Sequence, residues 1–171
     1  MSINSTETKP VLVFGYGNLS RGDDAVGPLL LEYLEGHADL SRVELLTDFQ
    51  LQIEHALDLQ DREWVMFVDA AVDLADAFGF RRLTPCKDNS YTSHAMSPAA
   101  LIQVYVDITR QPPPPAFLLS IKTESFELGE GLSTSCSDNL QQACKFARHL
   151  LALPTAEIFA TVESASVSMN Q

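Results

Sequence analysis

The sequence predicts an α/β protein: a three-layer α/β/α sandwich around a five-stranded, mostly parallel twisted sheet. Three observations carry that reading. Short apolar runs rich in β-branched and aromatic residues, at 11–14, 64–68 and 117–121, have the composition of buried parallel strands. Between them lie segments whose apolar residues recur at helical spacing, so that strands and helices alternate. The first run also leads through Gly15, Gly17 and Gly22 into a helix start, the form that marks the ligand edge of a doubly wound sheet.

In chain order, residues 1–9 are a polar arm and 10–154 a single α/β domain. The first strand covers about Pro10 to Gly15. The first helix is expected from about Asp23 to Glu35, capped by Asp23 or Asp24, with Pro28 in its early turns and Gly36 as its stop. Arg42 to Thr47 alternates like a more exposed second strand, and Leu51 to Leu59 reads as a short helix turning Leu51, Ile53, Ala56 and Leu57 inward. Trp64 to Val68 is a central strand ending at Asp69. Phe78 to Leu83 suits a peripheral strand, open to antiparallel pairing. Ser97 and Pro98 are a good N-cap and first position for a helix carrying Leu101, Ile102, Val104, Tyr105 and Ile108. Pro112 to Pro115 connects to the last strand, Phe117 to Ile121, and a closing helix spans about Ser137 to Ala152. Residues 155–171 are Ser-rich and read as a mobile tail, with Ile158, Phe159 and Val162 able to pack locally.

At 171 residues the chain is long enough to bury a full core. A net charge of −12 argues against nucleic acid, whose binders must neutralise phosphates with Lys and Arg. Cys86, Cys136 and Cys144 are odd in number and lack CxxC spacing, which suits a reducing cytosol better than a disulfide framework or a zinc clamp. The polar start has no signal core, and no apolar run approaches the roughly 20 residues that span a bilayer. The expectation is a cytoplasmic protein with no membrane partner.

Four features fall at the carboxyl edge of the predicted sheet: the pair Asp23/Asp24, then Asp69, His94 and Lys122. Asp69 is the most telling, because a carboxylate directly after Val-Met-Phe-Val is partly buried. It must be hydrogen-bonded, protonated or near a cation, unless it merely caps a loop. With Asp24 and His94 it would make an open three-ligand site for a borderline divalent ion. His37, His55 and His149 lie on or near helices and read as structural. The glycine loop lacks the third glycine of a dinucleotide fingerprint, no Gly-Lys-Ser/Thr forms a phosphate loop, and the acidic pair would repel a phosphate from the helix start. His-Glu-x-x-His and Gly-x-Ser-x-Gly are absent, leaving a Cys86/His94 pair as the one nucleophilic option of ordinary type. A receiver-like phosphoacceptor module using Asp23, Asp24, Asp69 and Lys122 is the alternative class. Against it, about seven residues separate the acidic pair from the first strand, and a receiver has no use for His94. A small phosphodonor with magnesium would label Asp69 in a receiver but not in a peptidase.

Three segments together, 15–27 (Gly-Tyr-Gly-Asn-Leu-Ser-Arg-Gly-Asp-Asp-Ala-Val-Gly), 68–70 (Val-Asp-Ala) and 93–98 (Ser-His-Ala-Met-Ser-Pro), resemble the [NiFe]-hydrogenase maturation endopeptidases. The likeness spans about residues 10–152. With 126–133 (Phe-Glu-Leu-Gly-Glu-Gly-Leu-Ser) added, the chain looks most like the branch serving NAD-reducing bidirectional hydrogenases. The resemblance implies a nickel-dependent endopeptidase that removes the C-terminal extension of the hydrogenase large-subunit precursor after nickel insertion. It implies nickel presented by that subunit, contacted by Asp24, Asp69 and His94, and no organic cofactor. Many members carry Glu where this chain has Asp24, and one methylene less draws the carboxylate inward.

Overall fold

The computed structural model of the chain describes residues 7–87, 96–124 and 128–168. It is the expected α/β sandwich. Five strands, β1 (Val11–Tyr16), β2 (Val43–Asp48), β3 (Trp64–Ala71), β4 (Phe78–Arg82) and β5 (Ala116–Lys122), form one sheet in the order β2-β1-β3-β5-β4. All neighbours are parallel except β4, which runs antiparallel to β5 at the edge, so the sheet is mixed. On one face Val13, Met66, Val68, Leu119 and Ile121 pack under α1 (Val26–His37), α3 (Thr134–Leu151) and Ile158 of α4 (Thr155–Ser168). On the other face Leu12, Phe14, Val65 and Phe67 meet α2 (Pro98–Thr109) and a 3-10 segment, Ile53–Leu59.

Local departures from expectation have physical causes. The acidic pair does not cap a long helix, because Gly22–Ala25 tightens into a 3-10 turn and the α-helix begins only at Val26. That helix runs past Gly36 to His37, whose ring stacks on Tyr33 at 4.1 Å. The 51–59 segment is 3-10 throughout its regular part. At three residues per turn Ala56 and Leu59 share the inward face, which leaves Leu57 exposed; Ile53, at the segment's first position, is exposed as well. β3 continues through Asp69 to Ala71, because β5 extends alongside it as far as Lys122. Asp69 and Lys122 therefore sit within strands. Ser97 caps α2 as expected, its Oγ accepting from Ala100 N at 3.1 Å. α3 starts early at Thr134, with Ser133 as cap. The stretch after Pro154 forms α4, where Ile158 is buried and Phe159 packs on Phe117 at 5.9 Å.

Glycine fixes how closely α1 approaches the sheet. A Cβ on Gly15 would lie 2.7 Å from Gly27 O, and one on Gly27 would lie 2.7 Å from Tyr16 O and 3.0 Å from Val68 O. These contacts draw the start of α1, and the acidic turn before it, down between the ends of β1 and β3.

Candidate functional site

The site is built on the last rungs of the parallel strands, on the face that carries α2 and the 3-10 segment. Side chains alternate along a strand, so Tyr16 shares a face with Leu12 and Phe14, and Asp69 with Val65 and Phe67. Asp48 is the register partner of Tyr16, and Ser120 that of Asp69. The Tyr16 hydroxyl closes the gap by donating to Asp69 Oδ2 at 2.9 Å. A polar row, Asp48, Tyr16, Asp69 and Ser120, thus crosses four strands on top of an apolar layer.

Asp69 is half-buried and held from two sides. Ala70 N donates to its Oδ1 at 2.8 Å while Tyr16 holds the other oxygen. Burial nevertheless dominates and pushes its pKa up from 3.8 to about 6; the two hydrogen bonds oppose this, and the Asp24 charge adds to it. Burial and the Asp69 carboxylate likewise raise the Tyr16 phenol, with a smaller push from Asp24, so Tyr16 remains a donor. Each Asp69 oxygen keeps lone-pair capacity beyond the bond it accepts.

Asp24 reaches the same site from the 3-10 turn. Its Oδ2 accepts from Asn18 N at 2.8 Å, clamping the glycine loop over the carboxylate. Gly17 makes the clamp possible: its φ is +146°, and a Cβ there would lie 2.1 Å from Asp24 O. The loop is tied to β2 by Gly17 N donating to Asp48 O at 3.0 Å.

Asp23 behaves differently from its neighbour. It is fully buried and accepts from Ser133 N at 2.9 Å, Ser133 Oγ at 2.9 Å and Glu124 N at 2.8 Å. The Ser133 donors sit at the N-terminus of α3, where a helix favours negative charge, and Glu124 N lies just past β5. The Cys136 thiol also bonds to it and is pushed up to about 12, by burial first and the Asp23 charge second. Asp23 is a pin between the glycine loop and α3. It does not join Asp24 in an open acidic pair, which removes a required part of the receiver alternative.

His94 lies outside the described residues, as does the 126–127 part of the Phe-Glu-Leu-Gly segment. Among the described residues no three His, Cys, Asp or Glu side chains come together as a metal group. Sequence reasoning missed Tyr16, treating it as loop, although its alternation with Leu12 and Phe14 signals a strand residue facing Asp69. His55, read from sequence as structural, is so here: its Nδ1 accepts from Gln52 N at 2.9 Å and its Nε2 lies 3.2 Å from Asp48 Oδ2. That pairing fixes the Nε2–H tautomer and braces the β2 end of the row. Cys86 is exposed. No helix among the described residues is long and apolar enough to cross a membrane.

No family model and no curated protein sequence matches the chain. Solved structures do. The hydrogenase maturating endopeptidase HybD from Escherichia coli is 23% identical over 80% of this chain and 88% of its own, with a TM-score of 0.63. The [NiFe] hydrogenase maturation protease HycI from Thermococcus kodakarensis is 20% identical over 86% and 96%, also at 0.63. A hydrogenase 2 maturation peptidase from a Thaumarchaeota archaeon is 21% identical over 85% and 100%, at 0.61. At such identities the likeness establishes a shared fold.

Proposed function

We propose that this chain is a hydrogenase maturation endopeptidase, a cytoplasmic enzyme that removes the C-terminal extension of a [NiFe]-hydrogenase large-subunit precursor once nickel is in place. Its partner is that precursor, and the nickel arrives with it as part of the substrate. The observation that carries the reading is the approach of Asp24 to the Tyr16–Asp69 pair at the carboxyl edge of a fold shared with proteins named for this activity. The sequence likeness in the glycine loop, at Val68-Asp69-Ala70 and around His94 supports it, and the further likeness at 126–133 favours the branch serving NAD-reducing enzymes.

In this reading Asp24, Asp69 and His94 contact the nickel. The donor set fits: two carboxylates and an imidazole suit a borderline divalent ion, and neither carboxylate is exhausted by its hydrogen bonds. Met96 packs on the apolar layer below the polar row. The nickel supplies Lewis acidity to the scissile carbonyl. Asp69, held by Tyr16 and Ala70 with lone-pair capacity to spare, is placed to take the proton of the attacking water. Tyr16 keeps the carboxylate oriented for that transfer.

Processing of a nickel-loaded precursor tests the roles. Asp24→Asn, Asp69→Asn and His94→Gln should each abolish it, and wild-type cleavage by the Asp69 or His94 variant would overturn the assignment.

A further inference from the structure

Seven large apolar side chains are exposed among the described residues, and five of them gather at one end of the molecule. Leu19 lies in the glycine loop, Phe49 follows β2, Ile53 opens the 3-10 segment, Val72 follows β3 and Leu128 follows β5. Each position is at the carboxyl edge of the sheet, and Phe49 is the most open at 72% exposure. The loops that carry them are tied together: Gly129 N donates to Ser20 O at 2.8 Å, and Thr123 N to Ala71 O at 2.9 Å. These side chains lie on the connections that follow the strands bearing Asp48, Tyr16, Asp69 and Ser120, at the edge from which Asp69 is approached. A clustered apolar rim of this kind marks a binding surface.

The same edge is acidic. Glu54, Asp73, Asp76, Glu124 and Glu130 are exposed on the connections that bear the rim, against Arg21 as the exposed cation of the glycine loop. That charge selects the occupant. A second copy would bring carboxylates against their own kind across a self-complementary contact. An anionic lipid surface would be repelled.

We propose that this rim is a docking surface for an extended polypeptide segment with apolar side chains and adjacent lysine or arginine, the segment that delivers the scissile bond to Asp69. The proposal rests on the peptidase reading and deepens it. Apolar residues of the segment cover Phe49, Ile53 and Val72, while its cations meet the surrounding carboxylates.

Steady-state cleavage of nickel-loaded large-subunit precursor by the full-length protein tests this. Phe49→Ser and Val72→Ser should each raise KM about ten-fold and leave kcat unchanged, the loss that follows from removing one well-covered apolar contact. Raising ionic strength from about 0.05 M to about 0.3 M should raise the wild-type KM, and less so for a Glu54→Gln/Asp73→Asn variant. If wild type cleaves and the Phe49→Ser/Val72→Ser double variant keeps its KM, the rim is not the docking surface, although the peptidase reading stands. A fall in kcat alone overturns it equally, since docking acts before chemistry. Self-association of wild type that Phe49→Ser abolishes without changing KM would assign the rim to a second copy instead. If wild type fails to cleave at all, the peptidase reading falls and the docking proposal with it.

Discussion

Replacing Asp69 with asparagine should make the protein more stable while abolishing its activity. The folded state holds this carboxyl at about 6 against an ordinary 3.8, because burial outweighs the bonds from Tyr16 and Ala70. A carboxyl with a raised folded pKa binds its proton more tightly folded than unfolded. Its penalty is therefore absent below the unfolded value, grows between 3.8 and about 6, and is complete above. At about 1.36 kcal/mol for each pH unit, the full penalty is about 3 kcal/mol. Asparagine carries no charge to bury. Its carbonyl can accept from Ala70 N while its amide donates to the Tyr16 oxygen, so neither neighbour is orphaned. Urea unfolding at pH 7.5 should show the variant more stable by about 1–3 kcal/mol, an advantage falling to roughly half at pH 5. An asparagine variant no more stable than wild type at pH 7.5, or an advantage that does not change with pH, would refute the reasoning. Burial would then not be the dominant influence on Asp69.

Other outcomes follow from the same geometry. Tyr16→Phe removes a bond to the charged form of Asp69, so the acid limb of the cleavage pH profile should move to higher pH, read from kcat/KM across pH 5–8; an unmoved limb would show that Tyr16 does not touch the reacting carboxylate. Gly17→Ala puts a Cβ 2.1 Å from Asp24 O at a φ of +146°, and should cost roughly 2 kcal/mol or more in thermal unfolding and abolish processing. Asp23→Asn takes a charged acceptor from the α3 start and should destabilise by about 1–3 kcal/mol, whereas Asp24→Asn loses activity with far less loss of stability; equal effects would blur the roles of pin and site.

The architecture was legible because every central strand is a continuous apolar run and every α-helix but the last carries a strong apolar stripe. The α4 helix was not read, because its Ser-rich composition speaks for a tail; the packing of Ile158 and Phe159, which could be read, depends on the floor offered by Phe117 and its neighbours. The strand status of Asp69 escaped for a related reason. Its charge interrupts the apolar run after Val68, and the length of β5 carries the ladder onward to Ala71. The position of Asp24 and Asp69 at the site edge could be read from strand order and the glycine loop. The division of labour within the acidic pair could not, because the donors that claim Asp23 lie about a hundred residues away, at Glu124 and Ser133. The phenol that orients Asp69 was in plain view at the end of β1, in phase with Leu12 and Phe14. Its partner lies 53 residues later, across a strand pair that only the fold defines.

The most direct test of the central claim is the mass of the large-subunit precursor after incubation with this protein, nickel-loaded in one tube and nickel-free in the other. The loaded precursor should lose its C-terminal extension and the nickel-free precursor should keep it. Cleavage of the nickel-free precursor, or none of the loaded one, would contradict it.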